Sequence, residues 1–202
     1  MPARVVVLAS GAGSTLQALL DAAADPAAGF EVVAVGSDRP DVAALERAER
    51  AGAATFVVRV RDFADRVAWD VALAEAVAAH EPDLVVSAGF LKLVGPEFLG
   101  RFEGRYVNSH PALSPSFPGI HAPHDALAWG VKVTGCTLFV VDAGVDTGPV
   151  IDQRVVPVLD DDDEDSLHER IKAAERDMLV DNIGAMVRRG WTVTGRKVRI
   201  NP

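Results

Sequence analysis

The chain has almost no cysteine. Cys136 is the single one among 202 residues, which excludes an internal disulfide and a thiolate zinc cluster. Positive charge is scarce as well: 20 Lys and Arg stand against 29 Asp and Glu, a formal net charge of -9. That balance argues against general binding of nucleic acid or of an anionic membrane. Long hydrophobic runs are missing too. Met1 to Arg4 lead into an apolar stretch too short for a signal peptide or a membrane span, and no later stretch approaches a span. A soluble, cytoplasmic chain is expected. What is present is ordinary for a globular domain, 49% hydrophobic and 24% charged. A chain of 202 residues can bury one core without cross-links, so a single domain over 1–202 is expected.

Strand and helix signals alternate. Arg4 to Ser10 is a β-branched run with little alternation, the pattern of a strand buried on both faces. Leu16, Leu19 and Leu20 then recur at helical spacing to about Ala24. Glu31 to Val35, Thr55 to Val60, Leu84 to Ala88 and Tyr106 to Ser109 read as further strands. Between them lie a helix from Val42 to Arg50 and a longer one through Ala79, with Asp62 as its expected N-cap. Such a series predicts an α/β fold, a parallel sheet with helices on both faces. After Ser109 the pattern changes. Pro111, Pro115 and Pro118 stiffen a loop, and a short helix spans about Pro123 to Trp129. Val133 to Val141 and Val150 to Val156 then predict an antiparallel pair at one side of the sheet. The acidic run Asp160 to Asp165 reads as a solvated loop, and Ser166 to Glu169 as a capping box for a helix to Arg189. A hairpin around Gly195 and Arg196 ends the chain.

Three segments could carry chemistry. Ser10-Gly11-Ala12-Gly13-Ser14-Thr15 lies between the first strand and the first helix, where free N–H groups at a helix N-terminus can meet an anion. A dinucleotide fingerprint is the competing reading, with Asp38 near the position of a ribose-binding acid, but Leu16 holds the third glycine position. A simple tight turn is the other alternative. Asn108-Ser109-His110-Pro111 ends the fifth strand, where open α/β sheets bind ligands. A histidine there can move a proton near neutral pH, and an asparagine amide can donate to an oxyanion. Asp142 to Pro149 reads as a glycine-rich turn; a carboxylate from it reaching His110 would fix the imidazole tautomer and favour its protonated form. His121 and His124 read as loop and helix-start residues, His80 and His168 as solvated helix residues, and Cys136 as a small buried hydrophobe.

Taken together, these segments resemble one family. Ser10 to Leu16, Ala88-Gly89-Phe90-Leu91-Lys92, Asn108 to Pro111, Ser116-Phe117-Pro118-Gly119, Gly135-Cys136-Thr137 and Asp146 to Ile151 are similar, in order and spacing, to the phosphoribosylglycinamide formyltransferases, folate-dependent enzymes of purine biosynthesis. The resemblance covers essentially the whole chain and implies a Rossmann-like open twisted sheet. It implies a phosphate-binding half over 1–109 and a folate-binding and catalytic half over 110–202. The implied reaction moves a formyl group from 10-formyltetrahydrofolate, as co-substrate, to the amine of phosphoribosylglycinamide, without a metal.

The same resemblance assigns roles. Gly13, Ser14 and Thr15 would cradle the substrate phosphate, and Glu175 would hold the ribose hydroxyls. Leu91, Lys92, Leu93 and Val94 would line a pterin cleft closed by the loop from Asp142 to Asp146, with Arg66, Lys92 and Asn108 also meeting the folate. Asn108, His110 and Asp146 would be the catalytic trio. Lys92 replaces an arginine of some relatives, Thr15 a frequent asparagine, and Phe139 a histidine common near the site; Ser114 interrupts a leucine pair. Hydrolases of 10-formyltetrahydrofolate and methionyl-tRNA formylating enzymes share the pattern. The former add an N-terminal regulatory module and the latter a C-terminal tRNA-binding domain, and neither is expected here. The partners expected are small-molecule substrates, with no nucleic acid and no membrane, for a monomer or homodimer.

Overall fold

The computed structural model describes residues 1–202. Its frame is a nine-stranded sheet in the order β3-β2-β1-β4-β5-β6-β7-β9-β8. The strands are β1 Ala3–Leu8, β2 Phe30–Ser37, β3 Ala54–Val57, β4 Leu84–Ser87, β5 Tyr106–His110, β6 Val133–Val140, β7 Val150–Pro157, β8 Trp191–Thr194 and β9 Lys197–Ile200. The first five are parallel. β6 runs antiparallel to β5, and β7 to β6, so the expected antiparallel pair extends one side of the sheet. The terminal hairpin is joined to β7 by one parallel bridge, Val150 with Lys197.

Helices cover both faces. They are α1 Ser14–Ala23, α2 Ala43–Arg50, α3 Arg66–Ala78, α4 Pro96–Arg101, α5 Ala122–Ala128 and α6 Glu164–Arg189. Side chains alternate across a strand, so Val5 and Val7 join one core with Leu16, Leu19 and Ile183, while Val6 and Leu8 join the other with Trp69, Leu73 and Phe98. The unalternating run at the start of the chain is thus buried on both sides, as expected. No helix is long and apolar enough to cross a membrane. Cys136 is fully buried, and burial pushes its thiol up to about 12.

Four features differ from the sequence reading, and each has a local cause. The third strand stops at Val57, because Val60–Asp62 forms a 3-10 turn in which Arg59 pairs with Asp62 at 2.6 Å. The N-cap of α3 is therefore Asp65, not Asp62; its carboxylate accepts the Ala68 N–H at 2.8 Å. The capping box of α6 is Asp163 with Ser166, not Ser166 with Glu169, and the helix begins earlier, at Glu164. Within the acidic run Asp162 is not solvated. Arg170 binds it bidentately at 2.7 Å, which holds its carboxyl well below the usual range.

α4 was not foreseen at all. Its cap comes from a distant element: the buried Asp70 of α3 accepts N–H groups from Gly95, Glu97 and Phe98 at 2.5, 3.0 and 3.1 Å. A carboxylate buried there is satisfied by charge-assisted hydrogen bonds and the positive helix end. Through Pro96 this contact fixes the exit of the segment Leu91 to Val94, which borders the site.

Candidate active site

The chain leaves β1 toward one edge of the sheet and returns at β4 beside it. A crevice opens at such a switch point, outside the carboxyl ends of the strands. Here the cleft has a volume of about 530 Å³. It is lined by the turn after β1, the segment after β4, the end of β5, the β6–β7 loop and one face of α6.

At one end, Gly13 caps α1 with φ 68°, and no side chain bonds the first-turn N–H groups. Ser14 and Thr15, whose N–H groups are among those left free at a helix start, line the cleft. Glycine is required at 13, because a Cβ would lie 2.9 Å from the Cα and Cβ of Ala44. Arg47 of α2 braces the turn by donating to the Ala12 carbonyl at 2.9 Å. Glu175 stands in the same end, 8% exposed. Burial raises its carboxyl above the ordinary range, with the Ser109 hydroxyl and the Lys172 charge acting against that shift.

His168 and Lys172 line the cleft beside Glu175. Their spacing of four and three residues puts all three on one helix face. The solvated reading of His168 is therefore wrong: the ring is half-buried, and burial lowers its pKa below the usual histidine value. His80 is likewise not simply solvated, since it stacks on Phe56 with ring centroids 5.5 Å apart.

The middle of the cleft holds the expected trio. His110, 3% exposed, places Nδ1 3.5 Å from Asp146 Oδ2 and Nε2 2.8 Å from the Phe117 carbonyl oxygen. A carbonyl can only accept, so Nε2 carries the proton in the neutral ring; Nδ1 then donates to Asp146 only when the ring is protonated. Asp146 Oδ2 also accepts the Gly119 N–H at 2.8 Å, which ties the β6–β7 loop to the proline-rich loop. That second loop is pinned in turn: Thr137 Oγ1 donates to Ala112 at 2.6 Å and accepts from Ser114 at 2.9 Å. Asn108 lies opposite Phe139 in the β5–β6 register, and its side-chain amide makes no hydrogen bond within the protein. A free amide and a buried imidazole–carboxylate pair thus face one space.

Another part of the lining is apolar. Leu91, Leu93, Val94, Ile120 and Val145 line it, and all but Val94 expose much of their surface. The loop holding Val145 is shaped by Asp142, which accepts from Gly144 N at 3.0 Å and from Thr147 Oγ1 at 2.6 Å. From the terminal hairpin, Arg196 donates to the Thr147 carbonyl at 2.9 Å.

Two candidates stand apart from the trio. Lys92 borders the cleft, but its ammonium points at Asp38, 3.3 Å away. Asp38 also accepts the Ser10 hydroxyl at 2.5 Å, so the acid weighed as a ribose ligand is a buried brace for the first loop. Arg66 does not line the cleft. It donates to the Leu93 carbonyl and covers the Trp69 ring at 4.1 Å, so it reaches the site only through that backbone.

An uncapped helix start, a buried carboxylate and an imidazole–carboxylate pair line one cleft. The chain matches the formyl transferase family over residues 3–183, and it belongs to that family. It is 59% identical over 197 residues to the phosphoribosylglycinamide formyltransferase of Mycobacterium tuberculosis (strain ATCC 25618 / H37Rv), covering 96% of this chain and 90% of that protein. The Drosophila melanogaster trifunctional purine biosynthetic protein adenosine-3 is 48% identical over 174 residues, 85% of this chain and 13% of that protein. Among solved structures, glycinamide ribonucleotide transformylase 1 from Symbiobacterium toebii superposes with a TM-score of 0.96 at 42% identity, covering 100% of this chain and 95% of that one.

Proposed function

We propose that this chain transfers the formyl group of 10-formyltetrahydrofolate to the amine of 5'-phosphoribosylglycinamide, giving phosphoribosyl-N-formylglycinamide and tetrahydrofolate in purine biosynthesis. The observation that carries the reading is the set of groups brought to one cleft: free helix N–H donors, Glu175, Asn108 with His110 and Asp146, and exposed apolar side chains. The relatives named for this reaction support the same conclusion.

The N–H groups of Ser14 and Thr15 at the end of α1 hold the phosphate, and Glu175 accepts from the ribose hydroxyls. The apolar end accepts the flat ring of the folate, with Leu91, Leu93 and Val145 excluding water. The substrate amine attacks the formyl carbon, and a C–N bond forms as the carbonyl oxygen becomes an oxyanion. The Asn108 amide and the Nε2–H of protonated His110, released from the Phe117 carbonyl while Nδ1–H stays on Asp146, donate hydrogen bonds to that oxygen, an effect worth on the order of 3 kcal/mol per donor in such sites. Asp146 stabilises the protonated ring. The tetrahedral centre then collapses: the bond to the folate nitrogen breaks, and the proton lost by the amine ends on that nitrogen, relayed by His110 and water. Placing both substrates in one cleft supplies the remaining large share of the rate.

The test is conversion of 10-formyltetrahydrofolate, followed spectroscopically with and without phosphoribosylglycinamide, with the product identified by mass. Conversion that requires the amine and yields the formylated product is expected. Conversion without the amine would replace the transferase with a hydrolase. His110→Ala should fold and lose most turnover; near-full activity would remove His110 from the mechanism.

A further inference from the structure

Two hydroxyls stand among the apolar side chains of the cleft. Ser87 ends β4 and Tyr106 begins β5, and both line the cavity at 2% and 4% exposure. In the parallel register Ser87 is paired with Asn108, and Tyr106 precedes Asn108 by two residues. Side chains alternate along a strand, so all three stand on one face of the sheet. The Tyr106 ring packs edge-on against Phe98, with centroids 5.0 Å apart, in the core that also holds Phe90, Val94 and Val141. Those last three side chains line the cleft as well.

Core packing explains the ring but not the hydroxyls. A strand buried on both faces is built from aliphatic residues, as Leu84, Val85 and Val86 are, and phenylalanine would fill the space of the Tyr106 ring. The Ser87 hydroxyl acts on the phenol and holds its pKa down, but burial pushes it up more strongly, so Tyr106 keeps its proton. Two O–H groups that meet each other form one bond, and one proton is left without an acceptor. Neither hydroxyl has a further partner in the protein, and neither is sealed off from the cavity in that condition. A bound molecule can therefore complete what the protein leaves open.

We infer that Ser87 and Tyr106 determine specificity for the ring of the formyl donor, one of the two hydroxyls donating a hydrogen bond to an acceptor on the ring edge. The inference rests on the formyl-donor reading of the cleft. A reduced pterin carries a carbonyl oxygen and an unprotonated ring nitrogen, groups that a wholly apolar cavity would leave unpaired. Ser87 adjoins Asn108, which meets the formyl oxygen, so a ring bonded here is fixed close to the reacting carbon. A ligand with hydrocarbon in place of the acceptor strands the hydroxyl proton, and the pair selects against it.

Steady-state kinetics of Tyr106→Phe and Ser87→Ala provide the test, with melting curves alongside. Each variant should raise KM for 10-formyltetrahydrofolate about two- to tenfold, the range of one neutral hydrogen bond. KM for phosphoribosylglycinamide should not follow, and the loss should fall on the donor KM rather than on kcat. An unchanged donor KM in both variants would overturn the inference; a lowered melting midpoint beside it would show that the two hydroxyls serve only each other. An equal rise in both KM values would mean a general loosening of the cleft and would overturn it too. Absence of turnover in the wild type would instead count against the reaction. Calorimetric binding of tetrahydrofolate then decides the hydroxyls alone: weaker binding in both variants supports their role, and unchanged or absent binding refutes it.

Discussion

Asp146→Asn isolates charge from geometry at the centre of the site. A single oxygen of Asp146 serves both Gly119 N–H, at 2.8 Å, and His110 Nδ1, at 3.5 Å. An asparagine can keep an oxygen in that place, so the loop contact persists and only the negative charge is lost. Two unit charges at 3.5 Å attract by about 5 kcal/mol at an effective dielectric near 20, the upper bound for the effect. A hydrogen bond to a charged group is worth about 1.5–3 kcal/mol net, the lower bound. Between these, loss of the charge raises the barrier by roughly 2–4 kcal/mol, or about 30- to 1000-fold in kcat. The assay is formyl transfer at saturating levels of both substrates, with KM for each and the thermal midpoint alongside. Both KM values should stay within about threefold and the midpoint within a few degrees, because no binding contact changes. A folded variant with kcat within threefold of wild type would show that the protonated ring needs no counter-charge, and the proposed role of His110 would fall with it.

Three further outcomes are expected. Asn108→Ala should lower kcat on the order of a hundredfold with little change in stability, read from steady-state kinetics and a melt, because its amide has no structural partner to lose. Gly13→Ala should cost about 1–3 kcal/mol in urea unfolding and raise KM for the phosphorylated substrate, since its positive φ and the 2.9 Å approach to Ala44 both oppose a side chain. Glu175→Gln should weaken binding of the ribose substrate and flatten the pH dependence of stability. Burial raises the folded-state pKa of Glu175, so its contribution is complete below the unfolded value and falls as pH rises through the folded one. Melting curves between pH 4 and 8 should show the wild type losing stability relative to the variant by about 1.4 kcal/mol per unit of that shift.

What could be read from the sequence was local. The β-branched runs, the turn Ser10 to Thr15 and the end of β5 announce themselves within a few residues, and apart from the shorter β3 the structure places them as expected. Asn108 and His110 stand out by position, but Asp146 was reachable only by resemblance, because its contact with His110 joins the β6–β7 loop to the end of β5 and no spacing encodes it. α4 escaped because its cap, Asp70, lies 25 residues before the N–H of Gly95. The placement of His168 and Lys172 in the cleft escaped for another reason. Their spacing to Glu175 was visible, but the neighbouring acids made the face look solvated until packing showed α6 forming a wall of the cleft. The direction of the Lys92 ammonium depends on Asp38, which the sequence offered only as a ribose ligand of the competing dinucleotide reading.

Arg196 sits in the turn between β8 and β9, past residue 183 where the family match ends, and its guanidinium grips the Thr147 carbonyl next to the residue that faces His110. The tail and the β6–β7 loop are therefore coupled by a direct contact. Chimeras between relatives should exchange the two together.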